Sequence, residues 1–105
     1  MDMWNGKKKA VTFSFDDGVR QDIRLIEILN EYGLKATFNL NSALLGRKGQ
    51  TSWLQKVVPH ERVFPEELKE VYKGHEIAAH TLTHPNLTTL SKEEIIRQVE
   101  EDRKA

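Results

Sequence analysis

The chain has 105 residues, with sixteen Lys plus Arg balanced by sixteen Asp plus Glu, so its formal charge is zero. That length suits one domain with a modest core, and the balance gives no support for nucleic acid or an acidic membrane surface as the main partner. Cysteine is absent, which excludes disulfides and thiolate metal sites and leaves His and carboxylate as the only strong metal ligands.

Residues 1–10 carry the basic run Lys7-Lys8-Lys9, but the apolar stretch after it is short and ends at Asp16-Asp17, unlike a signal peptide. No apolar run approaches the roughly 18–20 residues of a membrane span. The chain as written therefore reads as cytoplasmic, with an extracellular location open if a leader was removed.

Residues 10–15, Ala-Val-Thr-Phe-Ser-Phe, predict a strand that stops at the turn signal Asp16-Asp17-Gly18. Apolar residues at helical spacing predict a helix over 20–32, closed by Gly33. Residues 35–40 predict a second strand. The segment 41–64 fits neither period; it reads as an irregular insertion or lid, or as hiding a short helix. A short helix is expected over 66–73, with Pro65 at its first turn and Gly74 at its end. Residues 75–79 predict a third strand. Ser91-Lys-Glu-Glu94 is a capping-box pattern opening a final helix.

Alternating strands and helices predict an α/β fold with parallel strands and crossover helices. A crossover helix normally delivers the chain to another parallel strand, and none follows here. The expectation is therefore part of a larger domain, truncated after about three strands. Its open sheet edge would favour a homo-oligomer or strand exchange.

Two constellations carry chemistry. In Phe15-Asp16-Asp17-Gly18, adjacent carboxylates on a regular strand point to opposite faces. Serving one site requires a break, which Gly18 can supply; the plainer alternative is a polar turn. In His80-Thr-Leu-Thr-His84-Pro85, Pro85 and the threonines argue against a helix. On a straight strand the histidines would lie roughly 13 Å apart, so the chain must turn for both to reach one ion; the alternative is two surface histidines. Both motifs follow strands of the same direction and should open on the same edge. Two imidazoles and one carboxylate make a three-ligand site with open positions, suited to catalytic zinc and equally to iron or cobalt.

The segment Thr12-Phe-Ser-Phe-Asp16-Asp17-Gly18 resembles the first signature motif of the polysaccharide deacetylases, the NodB-homology family. Gly74-His-Glu-Ile-Ala-Ala-His80-Thr-Leu-Thr-His84-Pro-Asn-Leu87 resembles the second, and Gly33-Leu-Lys-Ala-Thr-Phe38 resembles the family's second strand. The resemblance runs from about residue 10 to the end and implies the N-terminal portion of a distorted (β/α) barrel.

It further implies hydrolysis of N-acetyl, or less often O-acetyl, groups on a sugar or oligosaccharide. By that resemblance Asp16 is the catalytic base, and Asp17, His80 and His84 hold one divalent metal ion. Zinc is the default, with cobalt, iron or nickel as alternatives. The family's later motifs, with an Arg and the His that acts as general acid, are not found in the chain. A non-catalytic metal- or glycan-binding module is thus the rival reading. His60 and His75 read as structural or surface residues. Trp53 is a candidate for stacking on sugar, with packing as its alternative.

Overall fold

The computed structural model describes residues 4–105, apart from the side chain of Trp53. In chain order the elements are β1 (Ser14–Asp16), α1 (Gln21–Glu31), β2 (Thr37–Leu40), β3 (Gln50–Trp53), β4 (Lys56–Pro59), α2 (Leu68–Val71), β5 (Glu76–Ala79) and α3 (Lys92–Lys104). The predicted strands over 10–15, 35–40 and 75–79 are present as the shorter β1, β2 and β5.

These three form one parallel sheet in the order β1-β2-β5. Asp16 lies opposite Asn39, and Leu40 opposite Ala79. Parallel registry of this kind brings the ends of β1, β2 and β5 to one edge, which is where α/β sheets place their sites. The sheet is open, with α-helices linking its strands, so the α/β class expected from the residue pattern is what the chain forms.

The core is built on β2. Its alternation buries Phe38 and Leu40, as period two requires. Phe38 is fully buried and packs on Phe15 and Tyr72, with ring centroids 5.7 and 5.0 Å away. Ile26 and Leu29 of α1, Ala36 and Val63 complete the cluster. Truncating a ring so enclosed typically costs about 3–5 kcal/mol, so Phe38 is the apolar anchor that holds the β1 and β5 edges in register.

Helix ends follow the local chemistry. α1 closes at Gly33, at φ +67°, where the Leu34 amide donates to the Leu29 carbonyl at 2.9 Å. The Glu94 amide donates to Ser91 Oγ at 3.2 Å, capping α3. The reciprocal half of the expected capping box does not form, because Glu94 pairs with Arg97 instead, at 2.6 Å. The helix expected over 66–73 is a 3₁₀ turn (Pro65–Glu67) followed by the short α2.

The segment 41–64 departs from its expected irregularity. After a 3₁₀ turn at Ser42–Leu44, β3 and β4 form an antiparallel hairpin. Its two-residue turn, Leu54-Gln55, has both φ values positive, +48° and +64°, the geometry that best fits hairpin twist. Neither residue is the Asn or Gly that normally marks such a turn. Residues 60–63 then return along residues 18–20: Arg20 N donates to Glu61 O at 2.8 Å and Val63 N to Gly18 O at 2.9 Å. The segment is thus docked by backbone hydrogen bonds onto the motif that carries Asp17. Among the described residues, no helix is long and apolar enough to cross a membrane.

Candidate active site

Asp16 ends β1, and the backbone turns one residue earlier than the sequence suggests. Asp17 itself has φ +83°, before Gly18 at +67°. A left-handed conformation costs a non-glycine residue roughly 1–2 kcal/mol, and such strain collects at functional sites. The turn separates the two carboxylates by environment: the Asp16 side chain is 59% exposed and that of Asp17 25%. At φ +67° any L side chain at Gly18 would be strained, and a Cβ there would lie 2.8 Å from Leu40 Cδ2, so Leu40 would have to shift.

The histidine motif turns as expected. Thr81 and His84 adopt φ +69° and +57°, a conformation uncommon for non-glycine residues and most so for the β-branched Thr81. The turn brings the His80 and His84 rings edge to face, 4.9 Å between centroids. His80 Nε2 lies 3.5 Å and His84 Nε2 3.7 Å from Asp17 Oδ1. These three donors all lie within 4.8 Å of one another.

A polar frame holds this geometry. Asn41, wholly buried, donates to the carbonyls of His80 and Thr81 and accepts from Arg62 Nη1 at 2.9 Å. Arg62 Nη1 also donates to the Asp17 carbonyl at 2.6 Å. The Asp102 carboxylate, buried, receives the amides of Ser42 and His80, both at 2.7 Å. Asn39 Nδ2 donates to Asp16 Oδ1 at 3.0 Å, leaving Oδ2 turned toward His80 Nε2 at 3.9 Å. The hydrogen bond to Asp16 thus comes from a neighbouring strand's side chain rather than from strand-end amides.

Below the site, Tyr72 Oη donates to Asp22 Oδ2 at 2.8 Å. Burial pushes the Asp22 carboxyl up to about 6, although the Tyr72 hydrogen bond pulls it down; the charge of Asp17 adds to the rise. Burial, then the Asp22 charge, drives the Tyr72 phenol well above its ordinary value.

The donor set can be tested against a cation. Asp17 Oδ1 and His80 Nε2 are buried and have no hydrogen-bond partner among the described residues. Buried polar atoms are ordinarily satisfied, and leaving one unpaired costs about 1–3 kcal/mol. Two donors of a tetrahedral zinc-type ion, at bonds of about 2.0–2.1 Å, lie roughly 3.4 Å apart. The observed 3.5 and 3.7 Å spacings therefore suit a divalent ion.

His60 was expected to be structural or surface, yet its Nε2 stands 3.6 Å from Asp17 Oδ2. Nothing in its neighbourhood along the sequence marks it, because the hairpin brings it there. His75 does play a structural part: its Nδ1 accepts from Ala36 N at 3.1 Å and its Nε2 meets Asn30 Oδ1 at 2.9 Å. Trp53 belongs to β3 by its backbone, and its side chain lies outside the described residues.

The chain is similar to known deacetylases. Chitin deacetylase 1 of Cryptococcus neoformans var. grubii is 36% identical over 95 residues, covering 88% of this chain and 17% of that protein. The peptidoglycan-N-acetylglucosamine deacetylase PgdA of Listeria monocytogenes is 28% identical over 99 residues, 92% of this chain and 18% of that protein. The chain thus spans less than a fifth of the length of these relatives. The Streptococcus pyogenes deacetylase PplD, solved with acetate, superimposes with a TM-score of 0.73 over 94% of this chain and 40% of that one. Their identity is 23%, so this is a likeness of fold. The polysaccharide deacetylase family model matches residues 4–105, and the chain therefore belongs to that family.

Proposed function

We propose that this chain contributes the metal-binding side of a deacetylase active site acting on N-acetylated sugars. The relatives' names join in one substrate class, N-acetylglucosamine in peptidoglycan, chitin or chito-oligosaccharide. The observation that carries the reading is the pair of buried atoms, Asp17 Oδ1 and His80 Nε2, that face each other at 3.5 Å without a hydrogen bond among the described residues.

Asp17, His80 and His84 hold a divalent cation in this reading, zinc by default for such ligands. When bound, the ion polarises a carbonyl and lowers the pKa of water. Asp16 is the base: its exposed carboxylate reaches an entering substrate, and Asn39 holds one oxygen so that Oδ2 takes the proton from the attacking water. The strained turns at Asp17, Thr81 and His84 and the Asn41–Arg62 frame keep the donors fixed, so reaction requires little reorganisation.

The test is acetate release from an acetylated chito-oligosaccharide by the zinc-loaded full chain. Chelation should abolish release. Asp16→Asn should lower it by about 10²–10⁴-fold while zinc stays bound. Zinc binding without acetate release by wild type would reduce the chain to a metal-binding module.

A further inference from the structure

We propose that His60 is a positioning residue for the Asp17 carboxylate, holding Oδ2 so that Oδ1 alone faces His80 and His84. The inference rests on the metal-site reading above. A carboxylate has two equivalent oxygens and can present either or both to a cation. Here they have different neighbours. Oδ1 faces His80 and His84 Nε2 at 3.5 and 3.7 Å, while Oδ2 faces His60 Nε2 at 3.6 Å. The three mutually close donors are those of Asp17, His80 and His84; His60 stands outside that set and its Nε2 pairs with the other carboxylate oxygen. In the tautomer that carries its proton on Nε2, His60 can donate to Oδ2 once the 3.6 Å gap closes by about 0.5 Å.

The placement of His60 is built into the backbone. His60 N donates to Gly49 O at 2.8 Å, and the next residue's carbonyl accepts from Arg20 N at 2.8 Å. The preceding carbonyl, of Pro59, accepts from Gln21 Nε2 at 2.7 Å. Three consecutive residues are thus pinned to the hairpin and to the start of α1. The hairpin's role follows: it delivers a third imidazole to the site without adding it to the ligand set.

The experiment is metal binding by the full chain, stripped with chelator and titrated with Zn(II) against a chromophoric competitor, then with Co(II) followed by its visible bands. His60→Ala should bind zinc about 10–100-fold more weakly, the usual loss when a ligand's supporting partner is removed. Its Co(II) bands should keep the wild-type coordination number. His60→Gln, which retains a donor to Oδ2, should recover most of the affinity. Unchanged affinity in His60→Ala, no recovery in His60→Gln, or Co(II) bands showing a lost nitrogen ligand would each overturn the assignment. A wild-type chain that binds no zinc would instead remove the site reading itself, and this inference with it.

Discussion

Two histidines mark the two ends of β5, and they are treated in opposite ways. His75, at the start, has both ring nitrogens engaged, by Ala36 N and Asn30 Oδ1. His80, just past the end, has a buried Nε2 with no hydrogen-bond partner among the described residues. The glycines repeat the contrast. Gly18 and Gly33 share φ +67°, yet a Cβ at Gly33 meets nothing within 4 Å while one at Gly18 strikes Leu40. One edge of the sheet is satisfied and roomy; the other is strained and crowded, and leaves Asp17 Oδ1 and His80 Nε2 without a hydrogen bond among the described residues. Folding alone favours the first arrangement, so the second points to a requirement beyond folding.

The sharpest way to break this comparison is to exchange the two histidines' fates. His80→Ala should abolish tight zinc binding, a loss beyond the roughly 10–100-fold caused by removing a supporting partner. The metal-free chain should lose little stability, since the deleted Nε2 made no hydrogen bond. His75→Ala should leave zinc affinity intact. Equal zinc loss in both variants, measured by competition titration, would mean that the ends of β5 are not functionally distinct.

The glycines sharpen it next. Gly18→Ala meets both the left-handed penalty of about 1–2 kcal/mol and an overpacking term of about 1–3 kcal/mol against Leu40. Gly33→Ala meets only the first. Thermal midpoints should fall for both, with the larger drop in Gly18→Ala. Equal drops would show that Leu40 moves aside freely.

Much of the site was legible in the sequence because its residues sit at backbone punctuation. Asp16-Asp17 precede Gly18, His84 precedes Pro85, and both motifs follow short β-rich runs. Topology then supplies the rest, since parallel strands bring their ends to a single edge. The hairpin was not legible: Leu54 and Gln55 carry no turn signal, and both its strands are largely exposed, without an apolar face to set a period. His60 and Arg62 reach the site only because residues 60–63 fold back along residues 18–20, whereas Asn41 is set there by the end of β2, one residue before it. Asp102 was hidden differently. It sits in the charged run Glu100-Glu101-Asp102-Arg103-Lys104, which resembles a solvated helix face, and only tertiary packing turns it toward the His80 amide.

Asp22 lies beneath the strained edge and gives the comparison a pH dependence. Burial lifts its pKa from 3.8 to about 6, so between those values the folded chain binds a proton that the unfolded chain has released. Stability from this group is fully present below pH 3.8 and is lost as pH rises through about 6. A tenfold change in proton affinity is about 1.4 kcal/mol, which bounds the loss near 3 kcal/mol. Asp22→Asn, which keeps an acceptor for Tyr72 Oη, should therefore stabilise the chain by up to about that amount at pH 8. Its advantage should shrink toward pH 4 in denaturant titrations. A pH-independent gain would show that the carboxylate does not titrate in this range.

His75 supplies the opposite slope at the satisfied edge. Burial, then the charge of Lys35, holds its pKa below the ordinary 6.5. The unfolded chain therefore takes up a proton before the folded chain does. Stability from His75 is present above pH 6.5 and is lost as pH falls through its folded value. The bond at stake is that of Nδ1, which accepts from Ala36 N only while unprotonated. Replacing His75 by Ala removes that acceptor and should cost about 1–3 kcal/mol at pH 8. The deficit should narrow on acidification, where wild type is itself losing the bond. In wild type the slopes from Asp22 and His75 oppose each other over weakly acidic pH and partly cancel. Each single variant should expose the other's slope, so a flat profile in both would show that neither end of the sheet couples to protons.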